Sequence, residues 1–368
     1  MTEPASRNLR GRGAAGNPPT RFARIWTERD PEWNDADDPT PRTQFFQDAT
    51  VSIISYNDSP DIGFNASVNP YRGCEHGCAY CYARPFHEYL GFSAGLDFET
   101  KILVKTDAPK LLRQELASPK WKPQVLALSG VTDPYQPVER RLQLTRRCLE
   151  VLAEFRNPVA IVTKNHLITR DIDLLQSLAR VQAVEANLSV TTLDPDLARR
   201  LEPRTSSPRQ RLEAIRALAD AGIPVGVLVA PIIPGLTDQE LPAILKAAVD
   251  AGACWAGKEV VRLPLAVAPL FEDWLSRHEP GRKEKVLQRI RSLRGGKLND
   301  PRFGTRMRGE GLFAEQLSRL FHVTCRRLGL AREGPDLSIA AFRRPAGTQL
   351  NLFASPRVTE TSALRSVS

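Results

Sequence analysis

Asn69-Pro-Tyr-Arg-Gly-Cys-Glu-His-Gly-Cys-Ala-Tyr-Cys-Tyr-Ala-Arg-Pro85 is the stretch that decides how the rest of this chain is understood. Its cysteines, Cys74, Cys78 and Cys81, are separated by three and then two residues. That spacing lets three thiolates converge on one face of a cubane iron–sulfur cluster and leaves the fourth iron without a protein ligand, a vacant position where chemistry can occur. A zinc site is the competing possibility, with His76 or His87 as a local fourth ligand. Three cysteines without a second cysteine pair suit a closed tetrahedral site less well.

Working outward, 368 residues with 42% hydrophobic content can bury one large core with appendages. No apolar run approaches a membrane span, and Met1 to Arg24 is polar and rich in Gly, Pro and Arg rather than signal-like, so we expect a cytoplasmic protein with no membrane partner. The remaining cysteines, Cys148, Cys254 and Cys325, show no framework spacing, which suits a reducing compartment. A net charge of +9, with arginines along several helices, fits a polyanionic partner such as DNA and equally a solvated basic surface.

Periodicity divides the chain. Residues 1–50 read as a largely irregular, loosely attached extension. From there to 268, short apolar runs alternate with amphipathic patterns, the mark of an α/β fold with a parallel sheet. Strands are expected at Ala66 to Tyr71, Gln124 to Ser129, Val159 to Thr163, Glu185 to Val190, Val225 to Ala230 and Glu259 to Leu263. Helices are expected near Pro109 to Ala117, Glu139 to Phe155, Asp171 to Ala179, Pro208 to Ala221 and Asp238 to Ala251, with Lys101 to Lys105 an extra strand in the first crossover. Six such units are too few for an eight-stranded barrel. Residues 269–345 form a helical C-terminal region and 346–368 a tail without periodicity.

Sites in parallel β/α folds gather at the carboxyl ends of strands. The cysteine loop follows the first strand. After the second comes Ser129-Gly130-Val131-Thr132-Asp133, and after the third Thr163-Lys164-Asn165-His166. The fourth is followed by Ser189-Val190-Thr191-Thr192-Leu193-Asp194 and the fifth by Ala230-Pro231-Ile232-Ile233-Pro234-Gly235. Each could be ordinary turn chemistry.

The cysteine spacing, with Tyr80 just before the last cysteine, resembles the signature loop of radical S-adenosylmethionine (SAM) enzymes. Taken with Thr163-Lys164, Ser189, Glu202-Pro203-Arg204-Thr205, Arg211 and Ala219 through Pro231, it is similar to the branch that contains spore photoproduct lyase. The resemblance implies a partial (β/α)6 barrel, a [4Fe–4S] cluster on Cys74, Cys78 and Cys81, and SAM chelated to the open iron and split to a 5′-deoxyadenosyl radical. It also implies that Thr132 meets the SAM amino group, Lys164 and Ser189 its carboxylate and ribose, and Ala230 its adenine. Ser129, Gly130, Thr191 and Arg204 complete the cofactor set, and a flavodoxin- or ferredoxin-type protein supplies the electron. One departure is visible: the lyase carries a hydrogen-donating cysteine after its second strand, whereas Leu128 to Asp133 contains none. Tyr82, with Tyr80 behind it, becomes the candidate catalytic residue. Cys148 and Cys325 read as buried small hydrophobes, and Cys254 falls just before the sixth strand, toward the opposite rim.

Finally, Gln349-Leu350-Asn351-Leu352-Phe353 resembles the short peptide by which bacterial replication and repair proteins dock on the polymerase sliding clamp, with Gln349, Leu350, Leu352 and Phe353 as its contacts. The same alternation would also suit a terminal strand packed on the body. These features together predict a radical SAM enzyme acting on DNA in damage repair. RNA- or protein-directed radical chemistry and a non-catalytic iron–sulfur or zinc adaptor are the rival expectations.

Overall fold

The computed structural model describes residues 9–22, 41–128 and 130–345. Ten strands lie within them: β1 (Gln44–Gln47), β2 (Ile54–Tyr56), β3 (Ala66–Val68), β4 (Tyr71–Arg72), β5 (Lys101–Val104), β6 (Leu126–Leu128), β7 (Val159–Thr163), β8 (Val184–Ser189), β9 (Val225–Ile232) and β10 (Trp255–Val260). Seven of them make one sheet in the order β10-β9-β8-β7-β6-β3-β2. Its β3 and β6 to β10 run parallel, and β2 caps one edge antiparallel. Sheet order follows chain order, as successive right-handed β–α crossovers dictate. The sheet stays open, with β10 and β2 as its edges. Aliphatic strands such as Val159–Thr163 and Val225–Ile232 bury side chains against helices in one continuous core, which is why parallel strands read as apolar runs.

Helices begin where the sequence caps them. Ser207 and Gln210 form a reciprocal capping box ahead of Pro208–Asp220, and Asp194 accepts from the first turn of Pro195–Leu201. The expected helix Glu139 to Phe155 is two, Glu139–Leu142 and Leu144–Phe155, broken at Gln143 with φ +52. The first expected strand also divides. β3 ends at Val68, and Tyr71–Arg72 joins a separate three-stranded sheet of order β1-β5-β4. The Lys101 strand lies within the first crossover, as expected, and pairs there with β1 and β4 rather than with the main sheet.

Two segments depart further from expectation. The last strand begins at Trp255 and not at Glu259, because the Trp255 indole lies across Gly226 on β9 and its Nε1 donates to Asn187 Oδ1 at 2.8 Å. Residues 9–22, read as loosely attached, are docked on the cysteine loop through backbone groups: Gly13 N and Ala14 N donate to the Glu99 carboxylate at 3.1 and 2.9 Å.

The helices Val267–His278 and Lys283–Ser292 form a second core with Tyr80, Leu201 and Val261, and so brace the cysteine loop from behind. Beyond the helix Leu312–Leu328 the chain crosses the amino ends of the strands. Ala331 bonds to Cys254 and Ala256, Ser338 N donates to Gln182 O, and Arg343 N donates to Phe155 O. No helix among the described residues is long and apolar enough to cross a membrane.

Candidate active site

The cysteine loop is held by main-chain bonds and one buried guanidinium. Cys74 N donates to Phe98 O at 2.9 Å and Ala79 N to Leu201 O at 3.0 Å. Arg84, with no exposed surface, donates to Cys78 O from Nε (3.1 Å) and Nη2 (2.9 Å), to Gly77 O (3.3 Å), to Ala94 O (3.1 Å) and to Gly95 O (3.0 Å). Its charge is met by Glu99 at 2.5 Å, itself fully buried. A planar fork with five donors can gather so many acceptors at once, and the loop takes its shape around it.

Beside the loop, the strand ends bring a second network together. Lys164, just past β7, reaches Ala230 O (2.8 Å), Thr191 Oγ1 (3.2 Å) and Glu202 Oε1 (3.2 Å). Glu202 accepts from Tyr80, from Thr191 Oγ1 (2.7 Å) and from Arg211, whose Nη1 also donates to Ser189 O at 3.0 Å. Burial pushes the Glu202 carboxyl up, but Arg211, then Lys164, and the hydrogen bonds from Tyr80 and Thr191 outweigh it and hold it well below the carboxylate range. Asp133, after β6, accepts from Thr163 Oγ1 (2.7 Å) and Lys164 N (2.8 Å) and faces His76 at 3.4 Å.

Above this layer stand Tyr82, Glu259 and Arg262. The Tyr82 ring is 38% exposed, its hydroxyl donates to Gly130 O at 3.1 Å, and the Arg262 guanidinium lies 4.8 Å from the ring centroid. Arg262 pairs with Glu259 at 3.0 Å. Burial raises the Glu259 carboxyl above its ordinary value, against the opposing charge of Arg262.

A model of the radical SAM superfamily matches residues 68–248, which span the cysteine loop and the strand ends just described. The chain belongs to the radical SAM superfamily. It is 39% identical over 232 residues to an uncharacterized protein of Mycobacterium tuberculosis, covering 62% of this chain and 67% of that one. It is 25% identical over 243 residues to a Pseudomonas phage M6 protein named radical SAM Nalpha-GlyT isomerase, covering 61% and 48%. Among solved structures, a spore photoproduct lyase double mutant with bound AdoMet and dinucleoside spore photoproduct aligns at a TM-score of 0.54 and 16% identity, over 78% of this chain and 80% of that one. The fold is therefore that of the lyase.

Radical SAM enzymes use a [4Fe–4S] cluster and SAM, and the donors present fit that pair better than zinc. Among the described residues no three His, Cys, Asp or Glu side chains are placed to hold a single metal ion. The three thiols nevertheless lie within one another's electrostatic reach, as ligands spread around a polynuclear group would. Of the two local histidines, His76 is held between Asp133 and Asn165, while His87 is stacked on Phe92 and edge-on to Phe98 with its Nε2 unpartnered. Burial pushes all three thiols up, and a cation held by them would favour the thiolate form.

Of the residues singled out in the sequence, Tyr80, Lys164, Ser189, Thr191 and Ala230 meet in one network, and Tyr82 and Gly130 meet at the mouth. Thr132 is buried, its hydroxyl donating to Tyr71 O at 3.1 Å. Arg204 does not join them. It turns away to Glu75 (3.2 Å) and Thr43 Oγ1 (3.2 Å). Ser129, Gln349, Leu350, Leu352 and Phe353 lie outside the described residues. Cys148 and Cys325 are buried in the main core, and Cys254 is exposed at the amino end of β10, away from the mouth. Glu202 and Asp133 lie in stretches quoted from the sequence, Glu202-Pro203-Arg204-Thr205 and Ser129 to Asp133, without a role of their own, and Glu259 and Arg262 were not singled out.

Proposed function

We propose that this radical SAM enzyme acts on DNA in the cytoplasm, in damage repair of the spore photoproduct lyase kind, and docks on the sliding clamp through Gln349, Leu350, Leu352 and Phe353. In this proposal Cys74, Cys78 and Cys81 ligate the [4Fe–4S] cluster, an electron comes from a flavodoxin- or ferredoxin-type protein, and SAM sits against the strand ends. Bound there, cluster and SAM together supply a 5′-deoxyadenosyl radical for hydrogen abstraction.

The chain's own residues then do four things. Arg84 fixes the loop. The Lys164–Glu202–Arg211 network, with Thr191 and Ser189, presents a pre-organised polar floor that suits the amino-acid end of SAM. Ala230 offers its small side chain to the adenine, its carbonyl being taken by Lys164, Thr191 and Ser189. Tyr82 stands nearest the entrance, with its hydroxyl directed to Gly130 O, and takes the hydrogen-relay role for which the stretch 128–133 has no cysteine. The observation that supports the DNA reading is the make-up of this entrance, where the exposed Tyr82 ring lies against the Arg262 guanidinium, groups suited to a base and a phosphate.

The test is anaerobic reconstitution with reductant and SAM across lesion-bearing oligonucleotides, following deuterium exchange into 5′-deoxyadenosine. Exchange dependent on one lesion is expected. Cleavage of SAM that no oligonucleotide alters, but that an RNA or a protein does, would move the substrate to that class.

A further inference from the structure

We infer that the arginine-lined cleft between the N-terminal segment, strand β1 and the cysteine loop binds the phosphodiester backbone of single-stranded DNA, and that Phe45 stacks a base there. The inference rests on the DNA reading above and gives it a place on the molecule.

The cleft has a volume of about 470 Å³ and is lined by Arg10, Arg12, Arg42, Arg204, Phe45 and Glu75, among others. Four guanidiniums thus face a single carboxylate. Arg12 is only 8% exposed, yet it donates to uncharged acceptors: Glu99 O at 3.1 Å, Pro41 O at 2.8 Å and Thr43 Oγ1 at 3.2 Å. Arg204 Nη1 donates to the same Thr43 hydroxyl at 3.2 Å, so two cations share one neutral oxygen. Burial, and then the charge of Arg204, press the Arg12 guanidinium below its ordinary value. Glu75, paired with Arg204 at 3.2 Å, and Glu99 offset part of this repulsion, and the cations left in excess along the cleft suit a polyanion. Arg10 and Arg42 stand exposed at the rim, where they can follow a polyanion outward.

The aromatic component separates a nucleic acid from a simple phosphate. All four residues of β1 are exposed, and Phe45 and Phe46 keep 39% and 40% of their surface on a sheet edge. Exposed rings in such a place mark an interaction surface. The Arg141 guanidinium lies 5.1 Å from the Phe45 centroid, and rings interleaved with cations are the platform on which unpaired bases stack. The cleft is also built on the cysteine loop itself: Glu75 follows Cys74, and Arg204 N donates to His76 O at 3.3 Å. A strand held in it runs alongside the loop that carries the proposed cluster.

The experiment is fluorescence anisotropy of a labelled 12-nucleotide single strand with the reconstituted full-length protein, titrated over salt. We compare Arg10→Ala/Arg42→Ala, Phe45→Ala, and Arg326→Ala/Arg327→Ala on the exposed face of the helix Leu312–Leu328 as a charge-matched control. Loss of two phosphate contacts should flatten the slope of log K against log salt by about 1.4 and weaken binding by about tenfold or more at 0.1 M. Phe45→Ala should weaken binding at least about fivefold with the slope unchanged, and the control should match wild type. If the wild type binds and both cleft variants stay within twofold of it, the cleft assignment is overturned while the DNA reading stands. If wild type shows no salt-dependent binding to single or double strands, the DNA reading fails and takes the cleft with it. If micromolar inorganic phosphate displaces the strand, the cleft is a small-anion site and the polymer assignment is overturned.

Discussion

Replacing Arg84 with methionine removes the group on which the cysteine loop is built and leaves most of its volume. Five carbonyl contacts to Gly77, Cys78, Ala94 and Gly95 go, and the buried carboxylate of Glu99 loses its cation. Breaking one partner of a buried pair costs about 3–5 kcal/mol, because the remaining charge stays out of water. Glu99 keeps two amide donors from Gly13 and Ala14, which favours the lower part of that range. For a chain of 368 residues, about 3 kcal/mol corresponds to a Tm lowered by about 4 °C. The assay is urea and thermal unfolding of the apo protein, followed by iron and sulfide analysis after reconstitution. Arg84→Met should lose stability and most of its iron. Adding Glu99→Gln should restore more than half of the stability, since the stranded charge is gone, but not the iron, since the loop carbonyls still lack donors. An Arg84→Met protein within about 1 kcal/mol of wild type and with a full iron complement would refute the view that this guanidinium shapes the loop. Arg84→Lys should fail nearly as badly, because a point charge cannot serve four carbonyls at once.

Further outcomes follow from the same geometry. Cys78→Ala should abolish both cluster absorbance and SAM cleavage, and normal cleavage would remove it from the ligand set. Glu202→Gln leaves Arg211 and Lys164 facing a neutral amide; apo stability should fall by about 3 kcal/mol and SAM affinity at least tenfold at unchanged iron content, and isothermal titration with full affinity would contradict the proposed polar floor. His87 is buried with Nε2 unpartnered, and burial lowers its imidazole to about 4. Between pH 6.5 and about 4 the unfolded chain therefore binds a proton that the folded chain refuses, so this contribution to stability is complete above 6.5 and is lost on acidification. His87→Phe should abolish about 2 kcal/mol of the wild-type loss between pH 7 and pH 5 in urea titrations, and parallel pH profiles would count against it. Deleting residues 349–353 should spare SAM cleavage in vitro and abolish capture by the sliding clamp; loss of cleavage would make the tail part of the fold.

The parallel sheet was legible because its strands are buried on both faces and must be apolar runs, and the cysteine loop because its spacing is dictated by a ligand. Where the reading slipped, the cause was a contact with no periodicity. Trp255-Ala-Gly257 resembles a turn until Gly226 is seen to make room for the indole: a Cβ there would come within 2.2 Å of Trp255 Nε1. The segment around Gly13 carries few apolar residues, and it docks through backbone atoms; a Cβ on Gly13 would lie 1.9 Å from Gly77 O. Hydrophobic patterning is blind to such packing. Glu202 was passed over in favour of its neighbour Arg204 for a similar reason. A lone carboxylate has no pattern, and its importance lies in cations at positions 164 and 211 that only the folded chain brings to it.

The two ends of the sheet divide the labour. Cysteine loop, polar floor and exposed tyrosine all lie at the carboxyl ends of the strands, while residues 331–345 cross the amino ends from β10 toward the entry to β6, where Arg344 donates to Trp121 O at 2.7 Å. The described chain thus ends at Pro345 on the side away from the mouth. Four peptide steps separate Pro345 from Gln349, a span of at most about 14 Å. A clamp bound to Gln349, Leu350, Leu352 and Phe353 would consequently sit close under the sheet. The mouth and the arginine cleft would remain free, and clamp binding and DNA binding should be additive, with neither altering the other's affinity by more than about twofold. Competition between them in a three-component titration would mean that the tail and the cleft serve the same partner.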